Sequence, residues 1–484
     1  MNVKLILRLG LCAAWVLVGP LLAKSQEGKV LDESGRIPVI KEKVVIDTVW
    51  SGHPVGFFLK TEGDRQYIAY YNAERRMVVG MRLLSEKSFA TAIVPSASEQ
   101  PPSYKCPVSS TILGWDSHNY ITLKVDRVGF IHLAGNMHAN KLTYLRSVKP
   151  YDSTRFERVD FMVGKNEDRC TYPKFMDGPE GELIFHYRDG GSGNGNEIYN
   201  VYDEKTGTWR RLLDTPLADG QGKMNAYILG PVRGPDGTYH VSWVWRDTPD
   251  CATNHDLSYA RSKDLVNWES AAGKSIALPM TLEMQELIVD PIPIKGGIIN
   301  GSGKIGFDAE GNCVLAYHKF DEKGKTQIYT ARFEEGGWAI RKVSDWNYRW
   351  YFSGGGSIDV DVGASEVSSH EKGLLALDYR NKKESSGTWL FDSKSLARVG
   401  RLIRPRPFPG ELLTVESDFK GMGVRWKRDA GKADNTDDHY VLRWETLGRN
   451  RDRPRTGPLP AVSELVLYRV GYSSKAEGDA NECH

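Results

Sequence analysis

Five times along this chain a glycine-centred turn opens an alternating strand, passes through a polar loop and returns on a second strand. The copies begin EGDRQYIAYY, VGFIHLAGN, EGELIFHYRD, DGTYHVSWVW and EGNCVLAYHK. Their turn glycines, Gly63, Gly129, Gly181, Gly237 and Gly311, are 66, 52, 56 and 74 residues apart. Three copies finish near a tryptophan: Trp209, Trp268 and Trp338. Such a strand–turn–strand unit has a face that only the next copy can cover, so the copies must stack around an axis. The pattern predicts an all-β fold, a seven-bladed β-propeller. A pair of packed sheets would not explain the recurring order of glycine, strand, polar loop, Tyr/Arg and Trp. Residues 26–40 read as a polar lead-in. Residues 425–460 read as charged loops before a last strand, SELVLYRVGY, that helps close the ring.

The ends and the charge narrow the classes of function. Lys4 and Arg8 precede a short apolar core, LGLCAAWVLVGPLLA, and Ala23-Lys24-Ser25 offers a small-x-small cleavage site. This predicts a signal peptide over 1–25 and a single propeller domain over 26–484. The protein is then exported in a bacterium, to the periplasm, the cell surface or the medium. The apolar core is too short for a comfortable membrane span, and no later stretch suits one. Formal net charge is +2 over 484 residues, with no Lys/Arg tract. Charge therefore gives no support to nucleic-acid or anionic-membrane partners. Cys106, Cys170, Cys251, Cys313 and Cys483 are too scattered for a disulfide framework, allowing one or two bridges at most.

Reactive side chains recur at matching places in successive units. GWDSHNY carries His118, AGNMHAN carries His138, and TYPKF carries Tyr172. YRDGGSGNG places Arg188 beside a glycine-rich loop, and GKMNAYILGP carries Tyr227. WRDTPDCATNHD adds Arg246, Cys251 and His255. Each alone is as easily explained by packing; the set is more informative. An arginine pairs bidentately with a carboxylate and acidifies the adjacent carbon. A histidine or tyrosine can remove that proton, and another tyrosine can protonate a departing oxygen. That chemistry is β-elimination on a uronic acid, and the aromatic residues suit stacking on sugar rings. Arg188, Arg246 and His255 are the candidate substrate-binding residues. No organic cofactor is called for. Cys251 and His255 offer two zinc ligands without a second pair, so a structural metal stays an open alternative. There is no nucleophile elbow of the GxSxG kind.

The stretches GHPVGF, DSHNY, GNMH, TYPKF, YRDGGSG and NHDLSYARSKDLVNWE resemble the bacterial neuraminidase-type (BNR) repeat propellers of carbohydrate metabolism, over most of residues 45–360. Two branches of that family matter. One is the ulvan lyases, which cut rhamnose–uronate bonds by β-elimination. In this branch the resemblance implies catalytic roles for His118, His138, Tyr172 and Tyr227, with Arg188 binding the substrate. The other comprises α-L-rhamnosidases and rhamnose–glucuronate lyases acting on arabinogalactan glycans such as gum arabic. In the rhamnosidases a single histidine acts on the opposite face of the propeller, and His53 in SGHPVGF matches it. Because the lyase reading gives His53 no role, the resemblance favours an exported exo-α-L-rhamnosidase removing rhamnose from glucuronate. A lyase on the same linkage is second, and a non-catalytic sugar-binding propeller third. The hydrolase expectation carries a chemical gap: the sequence shows no carboxylate pair of the kind glycosidases use. In every case the partner is a saccharide containing rhamnose and uronic acid.

Overall fold

The computed structural model describes residues 28–431 and 438–474; the expected leader over 1–25 lies outside them. The architecture is all-β, with a single four-residue α-helix, Gly410–Leu413. Its recurring element is a four-strand antiparallel meander. The first clear copy runs Phe58–Glu62, Arg65–Tyr71, Met77–Leu83 and Ala90–Ile93. The next runs Ile121–Val125, Ile131–Gly135, Tyr144–Ser147 and Phe156–Val159. Two further copies begin at Cys170–Asp177 and Asn225–Arg233 and are fused into one large sheet through a parallel bridge, Gly195 to Asn225. Others begin at Lys304–Phe307, Val362–Ala364 and Met422–Arg428.

The glycines of the repeat have a shared physical reason. Gly63, Gly129, Gly181, Gly237 and Gly311 all have φ between +61° and +97°. That left-handed region strains any residue with a Cβ, so the hairpin between the first two strands demands glycine. The tryptophans anchor the outer part of the meanders: Trp209 and Trp268 are buried, and Trp338 packs partly buried against Tyr259.

Two stretches fold differently from expectation. The lead-in is strand: Lys29–Asp32 pairs in parallel with Arg398–Ile403, and Arg36–Val49 pairs along its length with Ser463–Ser474. The latter pairing brings SELVLYRVGY and the N-terminal segment into one sheet with Met422–Arg428 and His439–Leu447. Residues 425–428 and 439–447 of the charged 425–460 region are therefore strand, while 448–460 is loop as expected and 432–437 lies outside the described residues. Charged residues there alternate with apolar ones, and a strand facing a solvated cavity carries charge on the side that usually faces a core. The four described cysteines, Cys106, Cys170, Cys251 and Cys313, are all free.

One core cluster joins the two ends of the chain. It unites Phe57, Leu59 and Tyr70 of the first meander with Leu442, Trp444, Leu465 and Leu467 near the C-terminus. At its centre Phe57 stacks on Trp444 with ring centroids 4.4 Å apart and planes 24° from parallel. Phe57→Ala removes that contact from a site 3% exposed. It should cost about 3–4 kcal/mol of unfolding free energy in a urea melt; a loss under about 1 kcal/mol would mean that the two ends are not clamped there.

Candidate active site

In an antiparallel meander the start of the first strand, the end of the second and the following loop lie at one end. Most of the candidate side chains use these positions. His118 precedes Ile121–Val125, Tyr172 and Tyr227 stand near the starts of their strands, and Arg188 lies late in Leu183–Gly191. His138 lies in Ile131–Gly135's following strand, His138–Asn140. The fold thus gathers His118, His138, Tyr172, Arg188 and Tyr227 at one mouth.

The contacts are close. The His118 and His138 rings stack with centroids 4.1 Å apart. Tyr172 lies 5.9 Å from His118 and 6.3 Å from Tyr227, centroid to centroid. The Arg188 guanidinium sits 5.0 Å from the Tyr172 ring and 5.5 Å from that of Tyr227. A cavity of about 390 Å³ opens here, lined by His118, Tyr172, Arg188 and Tyr227 and also by Lys174 and Glu197. Tyr172 is set by a local break in its strand. Pro173 has no N–H to donate, the ladder shifts register between Thr171 and Lys174, and Tyr172 takes φ +56°. Left-handed backbone at a tyrosine costs about 1–2 kcal/mol, a strain typical of functional positions.

Residues that the sequence did not single out hold the histidines in place. Asp116 accepts from Nδ1 of both rings, at 2.7 Å from His118 and 2.6 Å from His138. On the far side Asp452 approaches, with Oδ2 3.4 Å from His118 Nδ1. Asp452 also accepts from the backbone N–H and hydroxyl of Ser117, at 3.0 and 2.9 Å, and from the Ser357 N–H at 2.7 Å. Burial would raise the pKa of Asp116, but bonds from the two imidazoles hold it well below the usual carboxylate range. Asp452 is likewise held low against its burial, by His118 and His53. For His118, burial is outweighed by the side chain of Tyr172 and by the two aspartates, and its pKa stands well above the ordinary histidine value. His138 goes the other way: burial, with His118 and Arg188 nearby, lowers its pKa despite Asp116. Two stacked imidazoles therefore carry one proton more readily than two.

Arg188 is the unusual member. It is 2% exposed, and none of its three guanidinium nitrogens has a hydrogen-bond partner. Tyr227 donates or accepts a bond with the Ser192 hydroxyl at 2.5 Å. Burial raises the pKa of Tyr227, yet Arg188 and Arg246 together bring it below the ordinary tyrosine value.

The remaining candidates stand apart from the cavity. Arg246 packs 5.3 Å from the Tyr227 ring, but its nitrogens are taken by the carbonyls of Thr248 and Pro249 and by Asn300 Oδ1. His255 uses Nε2 on Asp247 at 2.9 Å and Nδ1 on Asp256 at 2.8 Å. Neither nitrogen is left for a substrate or a metal, so the Cys251/His255 ligand pair does not form. His53 corrects the largest expectation. It sits at the same end of the fold as His118, not on an opposite face. It is 1% exposed, with Nε2 3.6 Å from Asp452 Oδ1, behind the aspartate that approaches His118. Its nearest acidic partner is thus the aspartate it shares with His118. Donor atoms of Asp116, His118 and His138 do lie within 4.8 Å of one another, close enough for a cation. Both Asp116 oxygens, however, already accept imidazole protons, and the trio is a hydrogen-bonded bridge.

The sequence profile of the BNR repeat-containing family matches residues 65–346. An ulvan lyase, short isoform, of Alteromonas sp. (strain LOR) is 29% identical over 148 residues, covering 27% of this chain and 27% of that protein. An ulvan lyase, long isoform, of Pseudoalteromonas sp. (strain PLSV) is 46% identical over 224 residues, covering 36% of this chain and 22% of that protein. The matched stretches thus span about a quarter of the curated relatives' own length. Among solved structures, the polysaccharide lyase Uly1 superposes with a TM-score of 0.57 at 14% identity, over 89% of this chain and 99% of its own. A second ulvan lyase structure gives 0.54 at 13% identity, over 85% and 94%. These two share the fold. Among the described residues no helix is long and apolar enough to cross a membrane.

The electrostatics of Tyr227 can be measured without a substrate. A lowered pKa means that the phenol ionises at lower pH than an ordinary tyrosine. Removing one of the cations responsible must move the ionisation upward. In ultraviolet difference titrations referenced to Tyr227→Phe, Arg246→Gln should shift the earliest tyrosine ionisation to higher pH. An unmoved titration would show that the two arginines do not act on this phenol.

Proposed function

The chain belongs to the BNR repeat-containing family, and on that premise we propose that it is a polysaccharide lyase cleaving a uronate linkage by β-elimination. Its four-strand meanders number seven, and we read them as the blades of a seven-bladed propeller. The observation that carries the reading is Arg188. A guanidinium at 2% exposure with every nitrogen unpartnered is costly unless an anion completes it. A uronate carboxylate matches its fork and its charge. The relatives that act on ulvan support a rhamnose–uronate polysaccharide as substrate class. The same relatives, named as lyases, favour elimination over the hydrolysis by His53 expected from the sequence.

In this account Arg188 pairs with the carboxylate and makes the C5 proton acidic. Tyr227, its phenol made more acidic by the flanking arginines, acts as the base and takes the C5 proton. The electrons of the C5–H bond form the C4=C5 double bond as the C4–O bond breaks. The departing oxygen takes a proton from His118, which Asp116 and Asp452 keep cationic. Solvent then restores both protonation states, and no water is added to the products. His138 and Tyr172 pack against His118 and Arg188 and fix their orientation. The leader expected over 1–25 fits an enzyme that meets its polymer outside the cytoplasm.

Incubation with ulvan should generate a conjugated uronate that absorbs in the ultraviolet. Arg188→Met should lower its rate of formation at least about a hundredfold, with a melting temperature equal to or above that of the parent, because an unpaired buried charge has been removed. Retained activity in Arg188→Met, or free rhamnose without ultraviolet absorbance, would overturn the proposal.

A further inference from the structure

A second cavity lies beside the first. It measures about 710 Å³ and is bounded partly by residues 54–57, 425–427 and 448–449. Tyr120 lines both cavities, so they adjoin as two lobes on either side of its ring. The larger lobe is strongly cationic. Arg380, Lys382, Arg425, Lys427 and Arg449 line it, against one carboxylate, Asp359.

Three of the five cations have local roles. Lys382 pairs with Asp361 at 3.2 Å, Arg380 bonds to the Val360 carbonyl, and Arg449 donates to the Ile358 carbonyl at 3.1 Å. Arg425 and Lys427 are different. They stand two apart on one strand, Met422–Arg428, and so point to the same side. Neither makes an ion pair or side-chain hydrogen bond among the described residues, and Arg425 Nε is enclosed without any partner. Burial lowers the pKa of both, and Arg449 adds to the effect at Arg425. Arg449 repels Arg425 and the single carboxylate, Asp359, attracts it, while Lys427 is partly buried with no ion pair, so the excess positive charge destabilises the fold as it stands. An anion in the lobe reverses that cost.

We infer that this lobe is a second anion subsite, binding a carboxylate or sulfate carried by a neighbouring sugar of the chain whose uronate is held at Arg188. The inference rests on the lyase reading for the identity of the saccharide, but the lobe's charge does not. It makes the mouth selective for polyanionic chains: a single uronate reaches one lobe, whereas a longer oligosaccharide passes Tyr120 and reaches both. Because the contact is between charges in a solvated cavity, it weakens as salt is added.

The test uses the full chain, ulvan tetrasaccharide and hexasaccharide, and free glucuronate, in calorimetric titrations at low and high salt. Arg425→Gln with Lys427→Gln should weaken hexasaccharide binding at least tenfold at low salt and flatten its salt dependence. Glucuronate binding should be unchanged, and the thermal melt should be equal to or above that of the parent. Lys427→Met alone, with one charge removed, should give an intermediate loss and guards against misfolding of the double variant. Chemically desulfated hexasaccharide separates the two sources of charge: a loss of the variant's effect identifies sulfate, and a retained effect identifies carboxylate, each in support. Equal hexasaccharide affinity and salt dependence in parent and variants would overturn the subsite, as would absence of oligosaccharide binding by the parent. Failure of the lyase reading is distinct: the parent would bind hexasaccharide with the predicted dependence on Arg425 and Lys427 yet form no unsaturated product.

Discussion

An unpaired guanidinium enclosed by protein is the constraint around which the mouth of this molecule is arranged. Arg188 brings a guanidinium cation into the enclosure, so its surroundings must answer that charge. They do so with the faces of Tyr172 and Tyr227 rather than with a carboxylate. Aromatic faces attract a cation without taking its hydrogen-bond donors. The fork therefore stays free for a planar anion, and the same positive charge lowers the pKa of the neighbouring Tyr227 phenol. Anchor and base are two results of one buried charge.

The acid side is built from pieces far apart in sequence. Asp116 ties His118 to His138, and Asp452, more than 300 residues later, ties the same loop to the C-terminal region and to His53. Each aspartate is kept ionised by the groups it touches, and together they keep His118 protonated. Packing His439–Leu447 against the first meander, with Phe57 on Trp444, brings Asp452, which follows that strand, within reach. Fold closure and site assembly are in this sense one event. His53 shares Asp452 with His118 in that framework.

Much of the fold was legible in the sequence because its turns admit few residues. Five glycines at positive φ announce five hairpins, and no other residue would serve there without strain. The five side chains at the mouth were legible because each lies at one of the few places that a meander brings to one end: at the start of the first strand, late in the second or just after it. Asp116 and Asp452 were not, since a carboxylate in a polar loop looks the same whether it faces water or an imidazole. The strand Met422–Arg428 was read as loop because its alternation puts Arg425 and Lys427 on the enclosed side, the reverse of the usual pattern. The placement of His53 misled for a related reason. Gly-His-Pro indicates a fixed backbone, but not which side of the sheet lies behind it.

The central claim is that bond cleavage proceeds without water. Digestion of ulvan in heavy-oxygen water, followed by mass spectrometry of the fragments, tests it directly. Elimination predicts fragments whose masses sum to that of the parent chain, with no heavy oxygen at the new ends. Fragments that carry one heavy oxygen per cut, with a combined mass one water greater, would show hydrolysis and contradict the account.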